Sequence, residues 1–354
     1  MLSLRAAGRA IAVCAVGVIT TSCGGDDGRL ALRVELGTRS VSKLPFVIAE
    51  DQGLFRKYGL DVRLRMPLPS DDDAIATHSF GVGAQIWERL KRLVGRGEPP
   101  WYPDIYVDGH TPNIVKHINQ ARAPHRIALA ANDCVARAHV IGNTGITSVD
   151  QLKGKRLGIS ARTDTTLGFV GLMLAKRRGW DPIFDLSLKT DGRDVAALRD
   201  GRVDAIVASE FIYAEAKKAG YPILEDTSGW NLPIGGNSVL VEKGWLERGT
   251  NREAAKRFLH AVIEGLALFH RDRDLALQVM AKWHAVTDPE VAAIAYERGQ
   301  WLERKPYPCY EGVEQTMQLY DSYAMRQFKA TDFYDDSIVK ELDASGFIDA
   351  LYKE

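Results

Sequence analysis

The sequence carries no excess of charge of either sign. Its 46 lysine and arginine residues are balanced by 46 aspartate and glutamate residues. This balance excludes a generally basic nucleic-acid-binding protein and an acidic disordered chain. Because 45% of the 354 residues are hydrophobic, the chain can bury a sizeable core, and its length favours two domains.

Several motifs of enzyme and metal sites are also missing. The sequence has no paired-cysteine motif and no helix with two histidines that would indicate zinc, and it has no Gly-x-Ser-x-Gly elbow. Gly81-Val82-Gly83 is too short for a dinucleotide-binding fingerprint. His110, His117, His125 and His139 are scattered, and we expect them to be unconnected. The sequence therefore predicts no catalytic residues, no metal and no cofactor.

The N-terminus has the pattern of an export signal. Arg5 and Arg9 form a short basic region, and the apolar run Ala10–Ile19 is too short to span a bilayer core of about 30 Å. Small residues then precede Cys23, and a flexible polar stretch follows it. This arrangement resembles a bacterial lipoprotein cleavage box, although that box usually has Leu where this chain has Thr20.

Residues 1–22 are therefore predicted to be a lipoprotein signal peptide, and 23–31 a flexible linker. Lipidation of Cys23 would anchor the exported protein to the cell membrane, in the periplasm or on the outer face of the cytoplasmic membrane. Ordinary secretion and an uncleaved apolar tail are the alternatives. Export also permits a disulfide between Cys134 and Cys309, with two separate buried thiols as the other reading.

Strands and helices alternate through most of the chain. This pattern predicts an α/β fold in which mainly parallel sheets have helices on both faces, and small ligands bind such sheets beyond the carboxyl ends of the strands. The predicted strands are Leu32–Leu36, one beginning at Val62, Asp104–Val107, Ile127–Ala131, Ala138–Ile141, Arg156–Ser160, Phe184–Leu188 and Val203–Ala208.

Local signals place the ends of several helices. Thr111-Pro112 predicts a helix that Thr111 caps, while Ser148–Gln151 and the pair Thr287 and Glu290 have capping-box spacing. Asp71–Asp73 is predicted to be a solvated turn. The predicted helices are Pro45–Gly53, Leu54–Tyr58, Ile86–Val94, one through Leu167, Val170 and Leu174, Val195–Arg199, one through Phe258, Val262, Leu266 and Phe269, and Val291–Leu302.

The two halves of the chain repeat one arrangement. Gly97 leads, after an insertion, to Asp104 and an apolar strand, and Gly201 leads directly to Asp204 and another apolar strand. Each copy has a helix-ending glycine, an acidic strand start and then an apolar strand. We expect two similar lobes that face a cleft.

The chain resembles the type II periplasmic binding proteins, in particular the group that serves importers of aliphatic sulfonates, taurine, nitrate and thiamine pyrimidine precursors. The likeness covers residues 32–270 in order, with one departure, the insertion of Glu98–Pro103 before a first-lobe strand. The stretches that carry it are Leu44–Val62, which is the most specific, Ser148–Gly158, Leu198–Val207 and Asn237–Lys243.

The resemblance implies a lobe at 32–140, a second lobe at 141–235, and a return to the first lobe with C-terminal helices at 236–354. Two crossing strands would join the lobes, which would close around a small-molecule ligand. The implied protein is a monomer that delivers its ligand to an ABC permease and its ATPase, and it does not bind nucleic acid.

Residues after the predicted strand ends are the candidate ligand contacts. Thr163–Thr166 combines hydroxyls with free N–H groups at a helix start, which suits an anion, although Asp164 or Thr165 could simply cap the helix. Glu210 could accept from an amine or pair with an arginine across the cleft. The full set is Arg39, Ser40, Ser42, Asp108, His110, Arg162, Thr163, Thr165, Thr166, Glu210, Tyr213 and Asn237.

Some of these candidates have a second reading. Phe211 and Tyr213 could stack on a flat ligand, or one of them could belong to the core, and His110 could be a helix-entry residue near solvent. The fold also hosts enzymes: a yeast-type thiamine pyrimidine synthase resembles this group, but it has a cysteine-rich motif that this chain lacks. A lipoprotein receptor that senses its ligand is the third alternative.

Overall fold

The computed structural model describes residues 28–68, 71–77, 102–160, 163–182, 184–190, 192 and 194–353. The predicted signal peptide with Cys23, the helix predicted at Ile86–Val94, Arg162 and most of the Glu98–Pro103 insertion lie outside these residues. Among the helices that the structure describes, none is long and apolar enough to cross a membrane.

Among the described residues, six strands form the sheet of the first lobe, in the order β3-β2-β1-β4-β11-β5. β1 is parallel to β2 and β4, whereas β11 is antiparallel to both β4 and β5, and β3 is antiparallel to β2. The strands are β1 Leu30–Leu36, β2 Leu60–Leu68, β3 Asp71–Thr77, β4 Ile105–Gly109, β5 Arg126–Ala131 and β11 Asn237–Glu242.

In the part of the second lobe that the structure describes, five strands form a sheet in the order β10-β6-β9-β7-β8. β7 is parallel to β8 and β9, whereas β6 is antiparallel to β9 and β10. The strands are β6 His139–Gly142, β7 Lys155–Gly158, β8 Leu186–Lys189, β9 Ala205–Ala208 and β10 Ile223–Asp226.

The two sheets share one topology. The first-lobe order β2-β1-β4-β11-β5 corresponds strand by strand to β8-β7-β9-β6-β10 in the second lobe, and β3 is an addition at the first-lobe edge. Asp104 precedes β4 and Asp204 precedes β9, at equivalent places in the two sheets. The predicted α/β fold with two similar lobes is confirmed.

Helices cover these sheets. The long helix Asn251–Arg271 lies over the first-lobe core, where Phe258 stacks on Phe55 with ring centroids 5.3 Å apart. The helices of the described residues are α1 Leu44–Asp51, α2 Leu54–Lys57, α3 His110–Asn119, α4 Thr166–Arg177, α5 Val195–Arg199, α6 Glu210–Lys218, α7 Asn251–Arg271, α8 Arg273–His284, α9 Pro289–Gly299, α10 Tyr310–Leu319, α11 Ser337–Ala344 and α12 Phe347–Leu351.

Two chain segments cross between the lobes. Residues 132–138 connect β5 to β6, and residues 227–236 connect β10 to β11. The two crossings lie side by side, with an antiparallel bridge between Val135 and Pro233. The lobe boundary predicted between residues 140 and 141 falls inside β6, which pairs wholly within the second sheet.

One local prediction on an acidic run is wrong. The backbone of Asp71–Asp73 belongs to β3, which pairs with β2. Among the described strands, β3 lies at the edge of the sheet, where charged residues are common. A turn was predicted from the polarity of the run, which does not report strand pairing.

The helix start predicted at Thr111 is also wrong. α3 begins at His110 with Gly109 as its N-cap, two residues before the predicted start, so Thr111 is the second helical residue. The Thr111 hydroxyl is instead bonded to the Thr316 hydroxyl at 2.7 Å and accepts from the N–H of Gly235 at 3.1 Å. Tertiary partners therefore replace the expected cap.

The capping box predicted at Thr287 is wrong by one residue as well. Asp288 is the N-cap of α9, and its carboxylate accepts from the N–H groups of Glu290 and Val291 at 3.0 and 3.2 Å. Pro289 then occupies the first helical position. Asp competes well with Thr for this position, because its carboxylate can accept from free N–H groups and favours the positive end of the helix dipole.

Candidate functional site

A buried lysine joins the strand ends of the first lobe. Lys43 follows β1 at the start of α1, and it is 1% exposed. Its Nζ donates to Oδ1 of Asn237, at the start of β11, and lies 3.6 Å from Oδ1 of Asp108, at the end of β4. Burial lowers the pKa of Lys43, and the Asp108 carboxylate opposes that shift.

Two asparagine amides hold the backbone beside this lysine. Nδ2 of Asn132 donates to the Ser42 carbonyl at 2.8 Å, and Nδ2 of Asn237 donates to the same carbonyl at 3.1 Å. Nδ2 of Asn237 also lies 2.7 Å from Oδ1 of Asn132. The predicted residues Ser42 and Asn237 therefore lie together, and Asn132 is a neighbour that the sequence reasoning missed.

Asp108 is held from several sides. It accepts from the Thr38 hydroxyl at 3.4 Å and from the Tyr106 hydroxyl at 3.1 Å. Gly37 lies against it so closely that a Cβ at this position would overlap the Asp108 carboxylate. A glycine is therefore required for this approach.

The first crossing segment contains a carboxyl group and a guanidinium that lie close together without a hydrogen bond between them. Oδ1 of Asp133 is 3.8 Å from Nη1 of Arg137, and neither atom has a hydrogen-bond partner among the described residues. The Arg137 guanidinium lies 4.4 Å from the ring centroid of Trp301. Burial, followed by the nearby Glu210 carboxylate, raises the pKa of Asp133 to about 7.

Glu210 is a residue of the second lobe that lies near Asp133 and Arg137. It is the first residue of α6, directly beyond β9, and it is buried. Burial raises the pKa of Glu210, while Arg298 and Arg137 are close enough to oppose that shift. No ion pair joins Glu210 to either arginine among the described residues. The two arginines act on Glu210 only through their nearby charges.

Tyr213 is covered by residues of the protein itself. Its ring stacks on His139 at 3.7 Å between centroids, and the Arg298 guanidinium lies 5.1 Å from its centre. Arg298 also bonds to His139 and to Asp226. Burial, followed by the Arg298 charge, lowers the pKa of His139 to about 4.

Phe211 belongs to a core, as one of the two readings predicted. It is buried in the first-lobe apolar cluster, with its ring 5.4 Å from that of His284. Because Phe211 belongs to α6 of the second lobe and His284 ends α8, this contact joins the lobes. Burial, followed by the Arg39 charge, lowers the pKa of His284 to about 3.

Arg39 and Ser40 lie beside this contact. The Arg39 guanidinium donates to the carbonyls of Pro67 and Trp283, and burial lowers its pKa to about 10. The Ser40 hydroxyl is 2.8 Å from the Ser42 hydroxyl. The Arg39 guanidinium therefore binds backbone carbonyls of the protein itself. A contact between Arg39 and a ligand stays a prediction.

The start of α4 is capped by a predicted residue. The Thr165 hydroxyl accepts from the N–H of Gly168 at 3.3 Å and is bonded to the Ser160 hydroxyl. The Thr163 carbonyl accepts from the Tyr320 hydroxyl at 3.3 Å. The capping role of Thr165 is confirmed, while ligand contacts of Thr163, Thr165 and Thr166 stay predictions.

His110 is not near solvent, and that reading is wrong. It is fully buried, with its ring 6.4 Å from Phe333, and burial lowers its pKa to about 4. The histidines are also not unconnected, because His117 and His125 stack at 4.5 Å and both rings meet Phe328 edge-on at 5.6 Å.

The arrangement as a whole suits a small polar ligand. Lys43 and Asp108 of the first lobe, Asp133 of the first crossing and Glu210 of the second lobe are buried or partly buried charged groups at or just beyond strand ends. Such groups bind a ligand strongly because little solvent competes with them. The described residues contain no group of three or more His, Cys, Asp or Glu side chains that could hold a metal ion.

Cys134 and Cys309 form a disulfide with an S–S distance of 2.09 Å. The pairing alternative is confirmed, and the reading as two separate thiols is wrong. Neither sulfur can serve as a thiolate nucleophile while the bond is intact.

No protein-family model and no curated protein sequence matches this chain. Solved structures do match its fold. The periplasmic aliphatic sulphonate-binding protein SsuA from Escherichia coli superposes with a TM-score of 0.59 at 18% identity, over 84% of this chain and 93% of that one.

Two further structures extend the comparison. The periplasmic nitrate-binding protein NrtA from Synechocystis PCC 6803 gives a TM-score of 0.64 at 12% identity, over 92% of this chain and 91% of that one. The desulfurization enzyme DszB gives 0.59 at 14% identity, over 90% of this chain and 99% of that one. The chain therefore has the two-lobed fold of the type II periplasmic binding proteins, as its sequence resemblance implies.

Proposed function

We propose that this chain is the extracytoplasmic, lipid-anchored substrate-binding component of an ABC importer. It binds a small organic or anionic solute reversibly and closes its lobes around it. The observation that carries this proposal is the place of Asp133 in the first crossing, close enough to Lys43 of the first lobe and to Glu210 of the second for both charges to act on its carboxyl group. Fold neighbours that bind aliphatic sulphonate and nitrate support it.

The charges around the cleft indicate the kind of ligand. Burial, followed by the Arg39 charge, lowers the pKa of His284 to about 3, so this ring is neutral. Lys43 and Arg39 near it form a region of desolvated positive charge, since burial lowers the pKa of both. An anionic group would be stabilised there. Asp133 lies near both Lys43 and Glu210. The carboxyl groups of Asp133 and Glu210 suit a hydrogen-bond donor, so sulfonates, nitrate and pyrimidine precursors are the first ligands to test.

The proposed partners follow from this role. Lipidation at Cys23 keeps the protein at the membrane, where it delivers ligand to a permease and its ATPase. A lipoprotein receptor that reports ligand to a membrane sensor would use the same fold. The discovery of a permease gene beside the gene for this chain would favour transport over sensing.

A ligand screen by thermal shift tests the binding claim. A ligand that binds only the folded state stabilises it by about 2.7 kcal/mol at a hundred times its Kd. The panel contains sulfonates, nitrate, pyrimidines, and aromatic acids and amines. If no member raises the Tm in a dose-dependent way, the proposed ligand classes are wrong.

Variants of the cleft then locate the site. Lys43→Met should weaken an anionic ligand at least tenfold, because a charge-assisted hydrogen bond is worth about 1.5–3 kcal/mol. Glu210→Gln should weaken amine-bearing ligands and spare plain anions. Lys57→Met is the matched control, since Lys57 pairs with Glu264 at an exposed site. Affinities within about twofold of wild type for both cleft variants would place the site elsewhere.

Catalysis is the competing function, because the desulfurization enzyme DszB has the same fold. Incubation of the ligand with the protein, followed by mass spectrometry, separates the two. Binding predicts that the ligand is recovered unchanged. A chemically changed ligand, formed at a rate proportional to protein concentration, would establish turnover instead.

A further inference from the structure

The two crossing segments form a short antiparallel ribbon. The N–H of Ala136 donates to the Leu232 carbonyl at 2.9 Å, and the N–H of Ile234 donates to the Cys134 carbonyl at 3.0 Å. Lobe movement must therefore bend both segments together.

A third segment, 303–309, runs along the first crossing. The N–H of Glu303 donates to the Asn132 carbonyl at 3.0 Å, and the N–H of Ala131 donates to the Pro306 carbonyl at 3.1 Å. Its last residue, Cys309, forms the disulfide. The first half of the crossing is thus held by backbone bonds and by one covalent bond.

This third segment is fastened to the first lobe. Nζ of Lys305 and the hydroxyl of Tyr307 both donate to the Asp343 carboxylate at 2.7 Å. Asp343 lies on α11, whose residues Ile338 and Leu342 are buried in the first-lobe core. The disulfide therefore ties Cys134 to the first lobe.

The end of the second crossing is fastened to the same lobe. A Cβ at Gly312, on α10, would overlap the Ile234 carbonyl, and a Cβ at Gly236 would overlap the Asp133 carbonyl. The N–H of Thr111 donates to the Gly235 carbonyl at 2.8 Å. Backbone packs on backbone here, which leaves little room for bending.

We propose that the Cys134–Cys309 disulfide is a positioning element that sets where the hinge bends. It holds residues 132–134 on the first lobe, so that bending is confined to 135–138 and 227–233. Asp133, the residue before Cys134, is thereby kept near Lys43 and Glu210 before ligand arrives. Such preorganisation favours binding because less conformational entropy is lost when the ligand binds.

The effect of this hinge on ligand binding rests on the proposed function. The position of the hinge does not, and it can be tested without any ligand. Hydrogen–deuterium exchange is measured on the oxidised chain and on the Cys134→Ser/Cys309→Ser double variant. Peptides covering 131–137 and 230–236 should exchange roughly tenfold faster in the variant. Peptides of the second-lobe strands β7 and β9 should change by less than about twofold.

A control variant distinguishes faster exchange at the crossings from faster exchange throughout the fold. Arg156→Gln removes the contact between Arg156 and Asp204 within the second lobe and should speed exchange there without affecting the crossings. Wild-type protein measured before and after reduction provides the same comparison without reliance on the folding of a variant. Unchanged exchange at the crossings would overturn the proposal. Equally faster exchange throughout both lobes would also overturn it, because the disulfide would then stabilise the fold only globally.

Discussion

Arg156 binds the carboxylate of Asp204 through its backbone N–H at 2.8 Å and through Nε and Nη2, both at 3.0 Å. The N–H of Asp204 donates back to the Arg156 carbonyl at 2.9 Å. This contact joins the parallel strands β7 and β9 where β9 begins. It therefore fixes the register of the second-lobe sheet at the edge away from the cleft.

The first lobe has the same contact at the equivalent place. Arg33 binds Asp104 through its N–H at 2.9 Å and through Nε and Nη2, both at 3.2 Å, and the N–H of Asp104 donates back to Arg33 at 2.8 Å. The two lobes thus share a side-chain device as well as a topology. The aspartates are the acidic strand starts that repeat in the sequence.

Loss of the second-lobe contact should weaken the fold. The hydrogen bonds from Arg156 lower the pKa of Asp204, so the carboxylate form stabilises the folded state at neutral pH. Asp204→Asn should lower the urea midpoint of unfolding more than Asp321→Asn, which removes a contact with Arg326 at an exposed site. Equal midpoints for the two variants would contradict this role.

The cap of α4 offers a matched pair of substitutions. Thr165→Ala should cost about 1 kcal/mol in unfolding free energy, because the N–H of Gly168 loses its acceptor. Thr166→Ala removes the neighbouring hydroxyl without touching that cap and should cost less than about 0.5 kcal/mol. Denaturant titration of both variants gives the comparison. A larger cost for Thr166→Ala would mean that the cap has been assigned to the wrong threonine.

Asp133 should make stability depend on pH. Its pKa is raised to about 7 in the folded state, against about 3.9 when unfolded. Its contribution is therefore fully present below the unfolded pKa and lost as the pH rises through about 7. Asp133→Asn removes this titration, so the variant should gain about 2 kcal/mol relative to wild type between about pH 5 and pH 7.5.

Unfolding by urea at the two pH values measures this difference. Other titrating groups are common to both proteins and cancel in the comparison. Asp321→Asn serves as the control: the hydrogen bond from Arg326 lowers the pKa of Asp321, so its titration lies below this pH range. A constant difference between Asp133→Asn and wild type would show that Asp133 is charged throughout.

The predicted membrane anchor depends on Cys23. Cells fed a labelled fatty acid should incorporate the label into the wild-type protein, because acyl chains on this cysteine would hold the exported chain to a membrane. Cys23→Ala should abolish the label and release the protein into the soluble fraction. Equal labelling of both proteins would exclude lipidation at this residue.

Local sequence signals were sufficient for much of the fold. Asp104 and Asp204 each precede a strand, in a chain where strands alternate with helices. This repeat predicted the two lobes, because neighbouring residues determine where each strand starts. Thr165 was one of the two residues offered as a cap, for the same reason. Thr111 was misassigned because Thr316 and Gly235, distant in sequence, take its hydroxyl.

The candidate site was harder to predict, since it depends on residues that meet only in the folded chain. Asp133 lies two residues beyond the end of strand β5 and could have been found by the rule that located Asp108. Lys43 lies inside an apolar helix start, where a lysine is usually expected to reach solvent. Arg298 comes from a C-terminal helix, and no sequence signal connects it with His139 or Asp226.

Closure of the lobes around a ligand is the central claim. Small-angle X-ray scattering on the wild-type chain, with and without a ligand that raises its Tm, measures closure directly. The account predicts a smaller radius of gyration with the ligand, and no change with a panel compound that leaves the Tm unaltered. A ligand that saturates the protein and leaves the radius of gyration unchanged would contradict the account.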